Sequence, residues 1–286
     1  MEEAKELKVE EENIGTPKST GTEIEVDFQV EVEKSKIKIM RNLIQNQDPS
    51  SKDTGLRPCA ALLKIDLFTF PKLCLLQEVD DFMIRRFLRA RDLDVDKASE
   101  LLLQYLSWRR DFVPNGSISP SDVPTQLTHN KLFMQGLDRS GRPIVVVFGS
   151  RHKPTKGSYD ELKRFVAFSL DKICSRMPPE QEKFVCIADL EGWGYSNSDI
   201  RGYLAALSIL QDCYPERLGK LFIVHVPYIF MTAWKVVYPF IDSKTKKKII
   251  FVENKKLRPT LLADIDESQL PDLYGGGLSL VPIQDS

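Results

Sequence analysis

Residues 221–252 read LFIVHVPYIFMTAWKVVYPFIDSKTKKKIIFV, and this stretch decides the fold. It opens with a β-branched and aliphatic run at 221–226 and closes with another at 249–252. Between them lies a segment of helical length, 228–240, with a proline at its start and another near its end, where prolines suit helix boundaries. The stretch therefore predicts a strand, a helix and a second strand.

The same alternation extends toward the N-terminus of this stretch. Two further β-branched runs precede it, at 144–148 and 184–188, and helix-length segments lie near 158–177 and 198–214. Strands that alternate with helices predict an α/β domain with a mainly parallel sheet and flanking helices. We place this domain at 125–281.

A helical subdomain is predicted ahead of the sheet, at 56–116. The apolar period is helical between 79 and 112, and Asp80 or Asp81 can cap its first helix. Residues 1–55 lack a sustained apolar period, which predicts a mostly disordered tail with at most a short helical stretch near 34–45. Residues 1–33 hold eleven acidic and three basic residues, a net −8 against −1 for the whole chain, so the remainder carries about +7.

Composition excludes several classes of protein. No apolar run reaches the eighteen residues that predict a membrane span, and the acidic N-terminus predicts neither a secretory signal nor a transit peptide. The five cysteines are scattered and never spaced CxxC, as is typical of reduced thiols in the cytoplasm. The three histidines are not clustered in the sequence, and we expect no metal site and no cofactor.

Catalytic signatures are missing from the sequence. It contains no GxSxG, no HExxH and no GxxxxGK[ST] motif. Asp189 and Glu191 follow a predicted strand, where α/β enzymes often keep carboxylates, so a hydrolase that uses them stays open as an alternative. We otherwise expect a binding protein and not an enzyme.

The segment 228–240 has almost no polar face. It is too short to span a bilayer, so it is either a buried core helix or a lid over an apolar cavity that also dips into membranes. The residues expected to form the lid are Phe230, Met231, Trp234, Val237, Tyr238 and Phe240. Lysines follow at once, and we expect Lys244, Lys246 and Lys247 to contact anionic membrane lipids. Nucleic acid is excluded as a partner, because the body is only weakly basic and has no recognised binding motif.

Arg91 is predicted to share the apolar face of the first helix of the subdomain. A buried guanidinium needs a carboxylate or a phosphate partner, because an unpaired buried charge is very costly. Glu216, in the turn CYPER, is a candidate for a structural salt bridge, and a phosphate ligand is the alternative.

Together these segments resemble the CRAL-TRIO lipid-binding family, and within it the phosphatidylinositol transfer proteins of fungi and plants. The resemblance covers about 77–280 and is carried by RRFLRARDLDVDKA (85–98), WRRDF (108–112), DRSGRPIVV (138–146), ADLEGWG (188–194), YPERLGKLFIVHVP (214–227), FIDSKTKKKI (240–249) and LPDLYGG (270–276). It implies a gating helix over an apolar cavity and a phosphoinositide headgroup held by Arg91, Glu216, Thr245 and Lys248.

The chain departs from this family at one place. Members that also carry phosphatidylcholine have a Ser-x-Thr pair where this chain has Phe184 and Cys186, so we expect a narrower, more apolar cavity there and leave any second ligand unassigned. The resemblance implies a monomeric, cytoplasmic, transiently membrane-bound protein that transfers or presents phosphatidylinositol. A sterol, a tocopherol-like molecule or haem remains an alternative ligand.

Overall fold

The computed structural model describes residues 20–49, 79–154, 157 and 159–286. The helices of these residues are α1 (Thr20–Gln47), α2 (Asp81–Ala90), α3 (Val95–Phe112), α4 (Pro124–Thr128), α5 (Tyr159–Ser175), α6 (Ile200–Ser208), α7 (Phe230–Val237), α8 (Ser243–Lys246) and α9 (Leu257–Asp264). The strands are β1 (Leu132–Leu137), β2 (Pro143–Phe148), β3 (Phe184–Asp189), β4 (Leu218–Val224) and β5 (Ile249–Phe251). Among these residues no helix is both long enough and apolar enough to cross a bilayer.

One sheet holds the five strands in sequence order. β2, β3, β4 and β5 run parallel to one another, and β1 pairs antiparallel with β2 at the edge. The predicted α/β fold with a mainly parallel sheet is confirmed, as are its four predicted strands. The sequence analysis missed β1, because its residues LFMQGL include no β-branched side chain.

The two faces of the sheet bury different sets of side chains. Val185 and Ile187 of β3 point to the face that packs against α9, where Leu261 is fully buried. Phe184 and Cys186, one residue out of step, belong to the opposite face, which α5 covers. Farther along this second face lie Ala188 of β3 and the gating helix α7. Any ligand cavity under α7 must therefore open on the second face.

The helical unit contains one more helix than the sequence analysis gave it. Ile37, Met40 and Ile44 of α1 are spaced three and four residues apart and are buried against α2 and α3. The prediction for 1–55 was a mostly disordered tail with at most a short helical stretch near 34–45; α1 includes that stretch but extends well beyond it, from Thr20 to Gln47. The apolar stripe is narrow and diluted by charged residues, and its burial against neighbouring helices stabilises α1. Residues 1–19 and 50–78 lie outside the described residues.

The C-terminus of α2 corrects a second expectation. The Asp80 side chain caps α2 by accepting a hydrogen bond from the Met83 backbone N–H at 2.6 Å, as predicted. The helix ends at Ala90, so Arg91 is its C-cap and leaves the apolar face on which it was expected. The guanidinium that α2 buries belongs to Arg86, which is 7% exposed and whose pKa burial lowers to about 10.

Glu182 balances this buried charge. Its carboxylate lies 3.6 Å from an Arg86 nitrogen and also pairs with Arg89. Glu182 precedes β3 in the sequence, whereas both arginines belong to α2. The ion pairs therefore fasten the helical unit to the sheet domain.

Candidate functional site

A cavity of about 260 Å³, named the polar cavity for the charged residues in its wall, lies where the helical unit meets the end of segment 228–240, the gating segment. Arg91, Glu216, Thr245 and Lys248, the four residues expected to hold a headgroup, all line it. They come from three separate parts of the chain, so the fold alone brings them together. The other lining residues are Ala90, Asp92, Leu207, Leu210, Gln211, Asp212, Tyr214, Pro215, Leu218, Asp242, Ser243 and Lys244.

Local backbone structure sets the direction from which each group approaches. Arg91 ends α2, and Glu216 stands in the turn before β4 with a left-handed φ of +58°. Thr245 belongs to α8, whose N-cap Asp242 accepts a hydrogen bond from the Thr245 backbone N–H at 2.8 Å. Lys248 follows within one turn and immediately precedes β5. The lysine and the threonine are thus held by a capped helical turn.

The charges at this cavity are arranged differently from the sequence expectation. The Lys248 ammonium donates a hydrogen bond to Glu216 Oε2 at 3.2 Å. The carboxylate of Glu216 therefore pairs with Lys248, and the predicted salt bridge between Arg91 and Glu216 is not formed. The Arg91 guanidinium donates to the carbonyl of Ala90 at 3.2 Å, and no described carboxylate pairs with it. Arg91 is therefore a cavity cation whose charge is not neutralised by a protein carboxylate in the described part of the chain.

Lys244 belongs to the same cavity wall. Its ammonium lies 2.7 Å from Asp92 Oδ1 and also donates to the carbonyl of Arg89. The hydrogen bond from Lys244, and then its charge, lower the pKa of Asp92. Of the three lysines expected to contact membranes, Lys244 is thus already bound to protein groups. Lys246 lies over the Tyr238 ring at 4.5 Å, and Lys247 is exposed.

A second cavity, of about 240 Å³, lies directly beneath α7 and is almost wholly apolar. Phe230, Trp234 and Val237, three of the expected lid residues, form its roof. Its other lining residues are Val147, Gly149, Ala188, Leu190, Trp193, Tyr203, Leu221, Ile223 and Ala233. Drug-sized ligands occupy pockets of about 300–1,000 Å³, so this space must grow before it can hold a lipid with two acyl chains.

The remaining expected lid and cavity residues do not line either cavity. Met231 is half-buried, and Tyr238 and Phe240 are exposed at the end of α7 and in the 3₁₀ turn that follows. Phe184 and Cys186 pack into the core beside α5, where burial raises the pKa of the Cys186 thiol to about 12.

The Phe240 end and the Tyr228 end of the gating segment make different contacts with the rest of the fold. Gln211 donates from its amide nitrogen to the carbonyl of Phe240 at 3.2 Å and accepts from the Asp242 backbone N–H at 2.8 Å. Gln211 lies in a π-helical stretch, Ile209–Cys213, a feature that often marks functional sites. At the other end Tyr228 is 92% exposed, whereas Phe230 packs edge-on against Trp193 with ring centroids 5.3 Å apart. The sequence analysis missed Gln211, which carries no signal there beyond its position before the CYPER turn.

Asp189, the carboxylate kept for a hydrolase, lines neither cavity. It is 1% exposed and accepts hydrogen bonds from His225 Nδ1 at 2.9 Å and from the Tyr274 hydroxyl at 2.8 Å. Two of the histidines, His129 and His152, are 23 residues apart in the sequence, but their rings lie 6.4 Å apart in the fold. Both belong to loops that the fold brings beside α5 and α6.

The chain is similar to known proteins in its sequence. The model of the CRAL/TRIO domain matches residues 127–276. A CRAL-TRIO domain-containing protein of Schizosaccharomyces pombe is 29% identical over 83% of this chain and 23% of its own length. The phosphatidylinositol/phosphatidylcholine transfer protein SFH7 of Arabidopsis thaliana is 31% identical over 69% of this chain and 39% of its own length.

A solved structure, the crystal structure of Sfh5, has the same fold. It superposes with a TM-score of 0.57 and 18% sequence identity, over 81% of this chain and 84% of the other. The chain thus spans less than half the length of the two relatives named above and most of the solved structure.

Proposed function

The chain belongs to the CRAL/TRIO domain family, whose members bind and transfer lipids, and we propose that it carries phosphatidylinositol between membranes or presents it to other proteins. The observation that carries the proposal is the convergence of Arg91, Glu216, Thr245 and Lys248 on one polar cavity. In this proposal the lipid phosphate binds Arg91, Thr245 and Lys248, and the inositol hydroxyls donate to Glu216.

The charges support a phosphate at this position. Arg91 has no carboxylate partner among the described residues, and Lys248 is paired only with Glu216. Guanidinium and ammonium groups form charge-assisted hydrogen bonds with phosphate oxygens. When the lipid phosphate binds the Lys248 ammonium, Glu216 loses Lys248 as its ion-pair partner. The Glu216 carboxylate then needs new hydrogen-bond donors, which the hydroxyl groups of an inositol ring supply. A headgroup without hydroxyls leaves Glu216 unpaired and is disfavoured.

The acyl chains are assigned to the apolar cavity beneath α7. Moving a lipid into water costs about 0.8 kcal/mol for each exposed methylene group, or on the order of 20 kcal/mol for two chains, so the protein must enclose them. At about 240 Å³ the cavity is too small in the closed state, and α7 must move outward. Leu207 and Leu210 border the polar cavity, whereas Tyr203 of the same helix borders the apolar one. The two cavities would join along this helix when the lipid enters.

The lid is built to move at a membrane. One side of α7 roofs the cavity through Phe230 and Trp234, whereas Val236 and the following Tyr238 and Phe240 are exposed. Exposed aromatic side chains bind readily at the interface between lipid and water. Because Gln211 holds the Phe240 end, we propose that α7 swings about that end.

The location of the protein follows from two observations. The described cysteines Cys174, Cys186 and Cys213 are free thiols, as is usual in the reducing cytoplasm. Lys246 lies over the ring of the exposed Tyr238, and Lys247 is itself exposed. Lysines near a membrane can bind anionic headgroups at about 1 kcal/mol each. We therefore propose a cytoplasmic protein that attaches to membranes only transiently.

The test is the transfer of phosphatidylinositol between liposomes by the wild type and by Arg91→Ala and Lys248→Ala. We expect each substitution to slow transfer by about tenfold or more, because each removes a hydrogen bond to a charged group. Lys255→Ala is the matched control, since Lys255 is exposed and lies outside both cavities.

Native mass spectrometry of the purified protein identifies the ligand. A bound mass that matches phosphatidylinositol supports the proposal, and a sterol, a tocopherol-like molecule or haem would replace it. Transfer rates that stay at the wild-type value in both cavity variants contradict the headgroup assignment.

A further inference from the structure

A cluster of potential metal ligands lies outside both cavities, at the carboxyl ends of β3 and β4. Asp189 ends β3, Glu191 follows two residues later, and His225 comes directly after β4. Each offers one donor atom, two carboxylate oxygens and one imidazole nitrogen, and these atoms all lie within 4.8 Å of one another. The carboxyl edge of a parallel sheet is a common place for ligands in α/β proteins.

The charges in this cluster are not balanced by basic residues. Within the described part of the chain neither Asp189 nor Glu191 pairs with a lysine or an arginine, and the imidazole of His225 is hydrogen-bonded to Asp189. Asp189 is buried, and a buried carboxylate needs strong compensation. A second carboxylate beside it adds repulsion, which a cation would remove.

The surroundings of Asp189 resemble those of a metal ligand. One oxygen, Oδ1, faces His225 Nδ1 at 2.9 Å and accepts a hydrogen bond from the Glu191 backbone N–H at 2.9 Å. The other, Oδ2, accepts a hydrogen bond from the Tyr274 hydroxyl at 2.8 Å. Ligating carboxylates usually have such a partner, which fixes their orientation.

We propose that Asp189, Glu191 and His225 form a binding site for a divalent transition-metal cation such as Mn²⁺ or Zn²⁺. The cation takes the place of the hydrogen between His225 Nδ1 and Asp189 Oδ1. The neutral imidazole loses the proton from Nδ1, which becomes the ligand atom, and gains one on Nε2 from solvent. The ring stays neutral, and no net proton is released. One imidazole and two carboxylates suit these cations, and the three ligands leave coordination positions for water.

Formation of the site requires a small movement that the structure permits. Ligand atoms around such a cation lie about 2.0–2.2 Å from it, and therefore about 3–3.5 Å from one another. The pair His225 Nδ1 and Asp189 Oδ1, now 2.9 Å apart, must open slightly to admit the cation, and the Glu191 carboxylate oxygen must move toward it. Asp189 is fixed in the core, whereas Glu191 is exposed and its side chain can close on the ion. Leu190, between the two carboxylates, lines the apolar cavity, so a bound ion would also fix part of that wall.

Binding of Mn²⁺ alone to the full chain tests the site, monitored by the loss of the electron paramagnetic resonance signal of free Mn²⁺. Mn²⁺ is preferred as the probe because the free thiols of the chain compete for Zn²⁺. We expect one Mn²⁺ per chain, and an affinity about tenfold or more weaker in Glu191→Gln and in His225→Gln. Glu253→Gln, an exposed carboxylate elsewhere, is the matched control and should bind as the wild type does.

Glu191→Gln decides the question if His225→Gln fails to fold, since Glu191 is exposed and its carboxylate accepts no hydrogen bond from the described residues. The proposal is overturned if no stoichiometric binding is seen up to about 1 mM Mn²⁺. It is also overturned if Glu191→Gln binds Mn²⁺ as tightly as Glu253→Gln does.

Discussion

Lys131 provides a quantitative test of the electrostatics of this fold. Its side chain is 6% exposed, and its ammonium lies 2.6 Å from Gln126 Oε1 and 3.0 Å from His152 Nδ1. His152 in turn contacts Asp199, the N-cap of α6, at 3.0 Å. Burial lowers the pKa of Lys131 from 10.5 to about 8. The perturbation we consider is Lys131→Met, which keeps the length of the side chain and removes the titrating group.

The sign of the pH dependence follows from where protons are bound. Between pH 8 and 10.5 the unfolded chain keeps the proton on Lys131 whereas the folded protein releases it, so the free energy of unfolding rises with pH in this window. A pKa difference between 10.5 and about 8 corresponds to about 3 kcal/mol. Below pH 8 both states are protonated and this contribution is constant.

The assay is urea denaturation monitored by tryptophan fluorescence at intervals from pH 7 to 10.5. We expect the free energy of unfolding of the wild type to gain about 3 kcal/mol relative to Lys131→Met across that window. Lys255→Met, an exposed lysine, is the control for the titration of the other groups, and its curve should run parallel to the wild type. Parallel curves for the wild type and Lys131→Met would refute the lowered pKa of the buried Lys131 ammonium.

Three further perturbations test particular contacts. In urea denaturation, Met40→Ala should lower the free energy of unfolding by about 2–5 kcal/mol, because Met40 is buried. The exposed neighbour is the control, and Ile39→Ala should lower it by less than about 0.5 kcal/mol. Equal effects would mean that α1 is not packed as described. Gln211→Ala should speed hydrogen exchange at the Asp242 amide about fivefold or more, measured by mass spectrometry, because its acceptor is lost; unchanged protection would rule out the tether. Glu182→Gln should cost about 3–5 kcal/mol in urea denaturation by leaving two guanidinium groups of α2 without their carboxylate, and a neutral result would contradict that pairing.

The sequence predicted the sheet better than it predicted the helical unit. The four parallel strands are confirmed because strands buried on both faces are continuous β-branched runs that local periodicity reveals. The edge strand β1 was not predicted, and the helix α1 was predicted only as a short stretch near 34–45, for related reasons. LFMQGL has weak strand propensity, and the apolar stripe of α1 is narrow, so both depend on neighbours that are distant in the sequence.

At the polar cavity the residue types were predictable and their pairing was not. Arg91, Glu216, Thr245 and Lys248 could be named from motifs, and they do line one cavity. Which cation pairs with Glu216 depends on where α2 ends. The helix α2 ends at Ala90, so Arg91 no longer lies on the apolar face of the helix. The Glu216 carboxylate pairs with Lys248 instead.

The sequence by itself determined the α/β order, the family resemblance and the chemistry available to a headgroup, since these are properties of local patterns. The tertiary structure alone decided that α1 is ordered, that Gln211 holds one end of the gating segment, and that Asp189 meets His225 and Tyr274. The physical reason is that these contacts join residues far apart in the chain. Their free energy arises only when the sheet and helices have packed and desolvated them, and no short sequence pattern records that event.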